Sequence, residues 1–220
     1  MNSVRRRIGL LLVSGLLVAG VPTHSLGADA KPLAAKTQDG AAQQGYAILE
    51  QLVRKGRDTG IASPADFARA TLGVPLKVYH VDTRPLAAFN AGDNPAPLLI
   101  EEPAVFYPVM LDGNMTSSIR VQKVNGGWAP ALVGDASLAA TVGRAQAGFA
   151  PDTSDTALVA VLPLNVLFVA KIINSTWEFI PVGNEPRAGI KAGGRLSAGD
   201  AFARLAPLAK RLIGAPDRPS

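Results

Sequence analysis

Val105-Phe-Tyr-Pro-Val-Met-Leu111, Asp112-Gly-Asn114, Met115-Thr-Ser-Ser-Ile-Arg-Val-Gln-Lys-Val124, Asn125-Gly-Gly127 and Trp128-Ala-Pro-Ala-Leu-Val133 follow one another without a break. Three runs rich in β-branched and aromatic residues alternate with two Asx-Gly turns. Asp-Gly and Asn-Gly accept the positive φ that tight hairpins demand, so the stretch predicts a three-stranded antiparallel meander. In the middle strand Met115, Ser117, Ile119, Val121 and Lys123 are expected on one face. Thr116, Ser118, Arg120 and Gln122 are expected on the other, a wet one.

Downstream, Asp135 or Ser137 caps a helix to about Phe149, and Pro151–Asp155 forms a turn. Strands are then expected at Thr156–Leu162, Leu164–Ile173 and Thr176–Val182. Ala157 to Ile173 is apolar enough to raise the question of a membrane span. Pro163, Asn165 and Lys171 interrupt it, and its Val and Ile content favours strands buried on both faces. Pro163 marks a bulge, an edge position or a turn.

Upstream, Leu76–Val81 reads as a strand, while Pro85–Pro97, with four Ala, two Asn and Asp93, reads as loop with one possible helical turn and no core. Tyr46, Leu49, Leu52 and Val53 recur at helical spacing and predict a helix over Ala41–Lys55. Ser63-Pro64-Ala65-Asp66 is a helix start, with an N-cap serine, proline at the first position and an acid at the third. That helix is expected to reach Leu72. Ser197-Ala198-Gly199-Asp200 repeats the device and opens a last helix through Ile213. The sum is α+β: an antiparallel sheet of five to seven strands, with an N-terminal helical pair and a C-terminal helix packed on it.

At the N-terminus Arg5, Arg6 and Arg7 precede an apolar run from Ile8 to Val21, and Ala28-Asp29-Ala30 supplies a small–x–small cleavage pattern. Fourteen or so apolar residues are too few to span hydrocarbon as a helix and fit the core of a signal peptide. The expected organisation is a signal peptide over residues 1–30, a flexible leader over 31–40, one α+β domain over 41–213 and a disordered tail over 214–220. An exported protein of bacterial type follows, periplasmic or secreted, which meets a membrane only through the signal segment if that is uncleaved. Without cysteine there is no lipid-anchoring residue, disulfide framework or thiol nucleophile.

Loss of residues 1–30 takes three arginines and Asp29 from the chain's 22 basic and 17 acidic side chains, leaving a net charge near +3. The remaining basic residues are scattered, which excludes a nucleic-acid footprint. Nothing in the sequence points to a cofactor. Gly189–Arg195 lacks the Gly-Lys-Ser/Thr ending of a phosphate loop and reads as linker. Asp152 and Asp155 serve a turn rather than a calcium loop.

His80, the one histidine beyond the signal, shares a strand face with Asp82, a pairing that orients an imidazole for proton transfer. A serine nucleophile would have to come from Ser117 or Ser118, and no Gly-x-Ser-x-Gly elbow presents one. Glu101 and Glu102 are adjacent on extended chain and point opposite ways, so they do not act on one bond; a solvated loop is their expected setting. Tyr107 and Trp128, aromatic with polar tips, are the candidates to line a groove or partner-facing patch together with His80.

The helix pair ending at Gly73-Val74-Pro75, followed by Tyr107-Pro108-Val109, Asp112-Gly113, Ser117-Ser118-Ile119, Val121 and Gly126-Gly127-Trp128, resembles small exported bacterial domains of PepSY-like or cystatin-like type. The resemblance covers about Ser63 to Gly134. It implies a helix packed on a curved sheet; some such domains act as protease propeptides or inhibitors, but no inhibitory motif is present to assign that role here. The expected function is a non-enzymatic binding module for a protein or peptide, by strand addition to a sheet edge. The alternatives are a binder of an apolar small molecule or lipid, and a hydrolase centred on His80 and Asp82.

Overall fold

A computed structural model of the chain describes residues 34–214. The expected signal peptide and the end of the C-terminal tail lie outside them. The meander forms as β3 (Ile100–Leu111), β4 (Asn114–Val124) and β5 (Gly127–Val133). Its two turns place Asp112 and Gly113 at φ 51° and 80°, and Asn125 and Gly126 at φ 49° and 82°, the left-handed pairs that Asx-Gly turns supply.

Around it the described residues build a nine-stranded sheet in the order β5-β4-β3-β2-β6-β7-β8-β9. Here β2 is Leu76–His80, β6 Ala157–Val161, β7 Val166–Ile173, β8 Thr176–Pro181 and β9 Leu196–Ser197. A two-residue β1 (Thr71–Leu72) pairs with the far end of β3. All pairs are antiparallel except β2 with β6, which run parallel and join the two halves of the sheet. The sheet is thus larger than five to seven strands, and its central pairing differs from the expected wholly antiparallel one.

Helices lie on both faces. On one, α1 (Gln38–Arg54) covers β3–β5 and buries Ala42, Leu49 and Val53 against Val105, Tyr107, Val109, Ile119 and Val121. Gly45 permits the approach, since a Cβ there would lie 2.5 Å from Ile119 Cγ2. On the same face α5 (Ala198–Gly214) covers the other half, and Phe202 meets Phe179 edge-on at 5.5 Å between ring centroids. On the opposite face α4 (Ala136–Ala147) lies alone over Leu76, Val78, Phe106, Met115, Leu158, Val169 and Ile180.

The caps form as their chemistry requires. Ser63 Oγ accepts from Asp66 N, Asp135 Oδ1 from Leu138 N and Ser197 Oγ from Asp200 N. The Ser63 helix is shorter than expected: α2 spans only Pro64–Phe67, because Thr71 and Leu72 are drawn onto β3. Residues 35–40 are structured rather than a flexible leader. Ala35 makes a two-bond ladder with Trp128, and Thr37 caps α1.

Three further expectations are corrected. Pro85–Pro97 does supply core: α3 (Thr83–Ala87) and the turns after it bury Leu86, Phe89 and Leu98 beneath α5. Glu101 and Glu102 sit within β3, not in a loop. The face assignment in β4 fails at Met115. Val109 pairs with Ser117 and Met110 with Met115, so Thr116 is an extra residue, a β-bulge. Met115 therefore turns to α4, while Ile119 and Val121 face α1. The face expected to be wet holds Ser118 buried beneath the start of α4, with Arg120 half-buried. Pro163 lies in a 3-10 turn between β6 and β7, and no helix among the described residues is long and apolar enough to cross a membrane.

Candidate functional site

Alternation along β2 and β3 divides a run of polar residues between the two sides of the sheet. Tyr79 and Glu101 are register partners on the α1/α5 side; His80 pairs with Ile100 on the α4 side. Glu101 accordingly takes Lys77 Nζ at 3.2 Å. Burial first, then the Glu101 charge, raises the Tyr79 phenol above its ordinary value. The Tyr79 ring meets Trp177 edge-on at 5.5 Å. Glu102 points the other way, to Arg120 and His80.

That second group is the denser one. Arg120 Nη2 donates to Glu102 Oε2. Glu102 Oε1 lies 3.7 Å from His80 Nδ1, and Asp82 Oδ1 lies 3.7 Å from His80 Nε2. The row Arg120–Glu102–His80–Asp82 therefore runs across β4, β3 and β2 to the residue that precedes α3. Glu102 is only 15% exposed and Arg120 22%, so their pairing is shielded from water far more than a surface ion pair. Arg120 Nε is buried without a hydrogen-bond partner.

The geometry limits the chemistry. At 3.7 Å neither carboxylate is hydrogen-bonded to the imidazole. The two approach opposite ring nitrogens, so they do not converge with the ring on one cation. No group of three or more metal-ligating side chains occurs among the described residues. Neither serine reaches His80. Ser117 lies on the α1 side, where its Oγ is buried without a partner. Ser118 pairs with Pro108, eight positions along β3 from the residue opposite His80.

The aromatic candidates go elsewhere. Tyr107 is 3% exposed, and its hydroxyl donates to Asp39 Oδ1 at 2.6 Å, which ties the first turn of α1 to the sheet. Burial first, and that hydrogen bond second, push its phenol above the ordinary value. Trp128 packs its ring under α1, and its backbone carries the Ala35 ladder. Tyr107, Trp128 and His80 do not form one surface: the first two face α1, the third the opposite side. Residues that the sequence did not single out, Glu102 and Arg120, are the ones gathered around His80.

Among the described residues α4 is the only helix that covers this side of the sheet. Ile100 shares it with His80, and Leu132 shares it with Arg120, its register partner. Val124 lies two and four residues beyond Gln122 and Arg120 on the same side of β4. These three apolar residues are 36–40% exposed and surround the charged row. Both edges of the sheet are guarded. On β5, Ala35 occupies Trp128, Pro130 lacks an N–H, and Ala131 is an unmatched bulge residue. At the other edge, β9 is two residues long.

Comparison of the chain with protein-family models, with curated proteins and with solved structures finds no match.

Proposed function

We propose that this protein is an exported, non-enzymatic binding module whose docking surface is the open part of the α4-side sheet face, and whose ligand is another protein. The observation that carries the reading is the uncovered strip of β2–β5 beside α4, with Ile100, Val124 and Leu132 around Glu102, Arg120 and Gln122. A sheet face normally buries its apolar side against another layer. Here one helix does so for only part of the width. A protein fits better than a small molecule, because small ligands need concave sites that enclose most of their surface. Guarded edges favour docking on the face over strand addition. The consecutive Arg5, Arg6 and Arg7 and the apolar segment after them support export.

The test is a pull-down of the tagged protein from its native envelope fraction, wild type beside Leu132→Glu and Ile100→Glu. Both changes are at partly exposed positions. The reading expects one stoichiometric partner with wild type and its loss in both variants. A partner retained by both, or none with wild type, refutes it.

A further inference from the structure

The C-terminal half of α5 and the 3-10 turn Leu162–Leu164 flank an open cleft of about 630 Å³ lined by Pro163, Leu164, Leu208, Leu212, Arg187 and Arg211, none of which belongs to the charged row. Its volume lies within the range of small-ligand sites. Leu164 and Leu208 are buried in its floor, whereas Leu212 is 44% exposed at its wall. Aliphatic floor and cationic rim are thus combined, and no acid is in the lining.

The two arginines differ in a useful way. Arg187 is fixed: its Nε and Nη2 donate to the two carboxylate oxygens of buried Glu185, at 2.9 and 2.7 Å. That bidentate pairing holds the guanidinium in one orientation with Nη1 unspent. It also neutralises the charge of Arg187. Arg211 has no carboxylate or hydrogen-bond partner among the described residues. Among the described residues its charge is offset only by the partial negative charge at the end of α5, which is about half a unit. The cleft therefore keeps a net positive rim above a hydrocarbon floor.

We propose that this cleft binds a free, single-chain amphipathic carboxylate. The alkyl chain lies on Leu164, Leu208 and Leu212, and the headgroup meets Arg211 and the free edge of Arg187. This site is independent of the sheet face and stands whether or not that face binds a protein.

The test is isothermal titration of the full chain with decanoate, with decan-1-ol and phosphatidylglycerol vesicles as comparison ligands. Arg211→Gln and Leu212→Asp are titrated beside wild type. Both positions are exposed, and a thermal melt of each variant confirms the fold. The proposal expects saturable 1:1 decanoate binding, at least tenfold weaker in each variant, and at least tenfold weaker binding of decan-1-ol by wild type. Absence of saturable decanoate binding overturns it. So does binding that either variant leaves unchanged, equal affinity for the alcohol, or binding to vesicles alone.

Discussion

Removing Glu102 should harm the protein more than removing Glu102 and Arg120 together. In Glu102→Ala the Arg120 guanidinium keeps its place at 22% exposure, with Nε already unpartnered, and loses the carboxylate that compensates it. Breaking a fully buried ion pair costs about 3–5 kcal/mol and an exposed one at most about 1 kcal/mol. The exposures of 15% and 22% place this pair between those limits, at about 2 kcal/mol. Arg120→Met should cost less, about 1 kcal/mol, because Glu102 keeps some contact with water and the His80 ring 3.7 Å away, and methionine fills the space of the arginine stem. In the double variant neither charge is stranded and methionine fills the space of the arginine stem, so the expected loss is below about 1 kcal/mol. The coupling between the two positions is then about 2 kcal/mol and favours the pair. Urea unfolding of wild type, both single variants and the double variant measures it, with equal m-values as the check that the unfolded state is unchanged. Additive losses, within about 0.5 kcal/mol, would refute the claim that these side chains act as one shielded pair.

Tyr107→Phe should destabilise by about 1.5 kcal/mol in the same assay, the low end for a hydrogen bond to a carboxylate, because exposed Asp39 regains water. No loss would mean that this bond does not anchor α1. Gly60→Ala should cost more than about 3 kcal/mol or prevent folding: Gly60 has φ 81°, and a Cβ would lie 1.9 Å from the Thr116 carbonyl oxygen. A melting temperature within a few degrees of wild type would show that the bulge at Thr116 can shift. Asp66 and Glu185 are held below the usual carboxylate range, chiefly by side-chain hydrogen bonds from Ser63 and Arg187, and Asp152 well below it by Lys171. A lowered folded-state value means stability that is present above the unfolded value, near pH 4, and is lost as pH falls further. Carboxyl chemical shifts followed by NMR should titrate below the ordinary value of each residue type for all three, and ordinary midpoints would remove this acid dependence.

The meander was legible because its signals are local. Asp112-Gly113 and Asn125-Gly126 fix two turns by backbone chirality alone, and the apolar runs between them have strand length. The serine and aspartate caps were legible for the same reason: a side chain three residues from its amide needs no tertiary context. What stayed hidden was non-local. Two-residue strands such as Thr71–Leu72 and Leu196–Ser197 carry no periodicity, and the partners that recruit them are distant in sequence. The parallel pairing of β2 with β6 joins segments about eighty residues apart. Leu86, Phe89 and Leu98 sit in short helices and turns, where burial follows neither a 3.6 nor a 2.0 period. The extra residue at Thr116 sent Met115 to the opposite side, which strict alternation along β4 cannot anticipate. At the candidate site His80 was visible as a lone histidine, and the divergence of Glu101 from Glu102 followed from strand geometry. The meeting of His80, Glu102 and Arg120 required the register of three strands.

Site-specific photocrosslinking from the sheet face tests the central claim most directly. A benzoylphenylalanine at Leu132 or at Ile100 samples the open α4-side strip, and one at Ile172, 54% exposed on the opposite side of the sheet, serves as the control. Irradiation of cells that express each variant should yield the same discrete protein adduct from Leu132 and Ile100, and none of that mass from Ile172. An adduct from all three positions, or from the control alone, would contradict the assignment of this face as the docking surface.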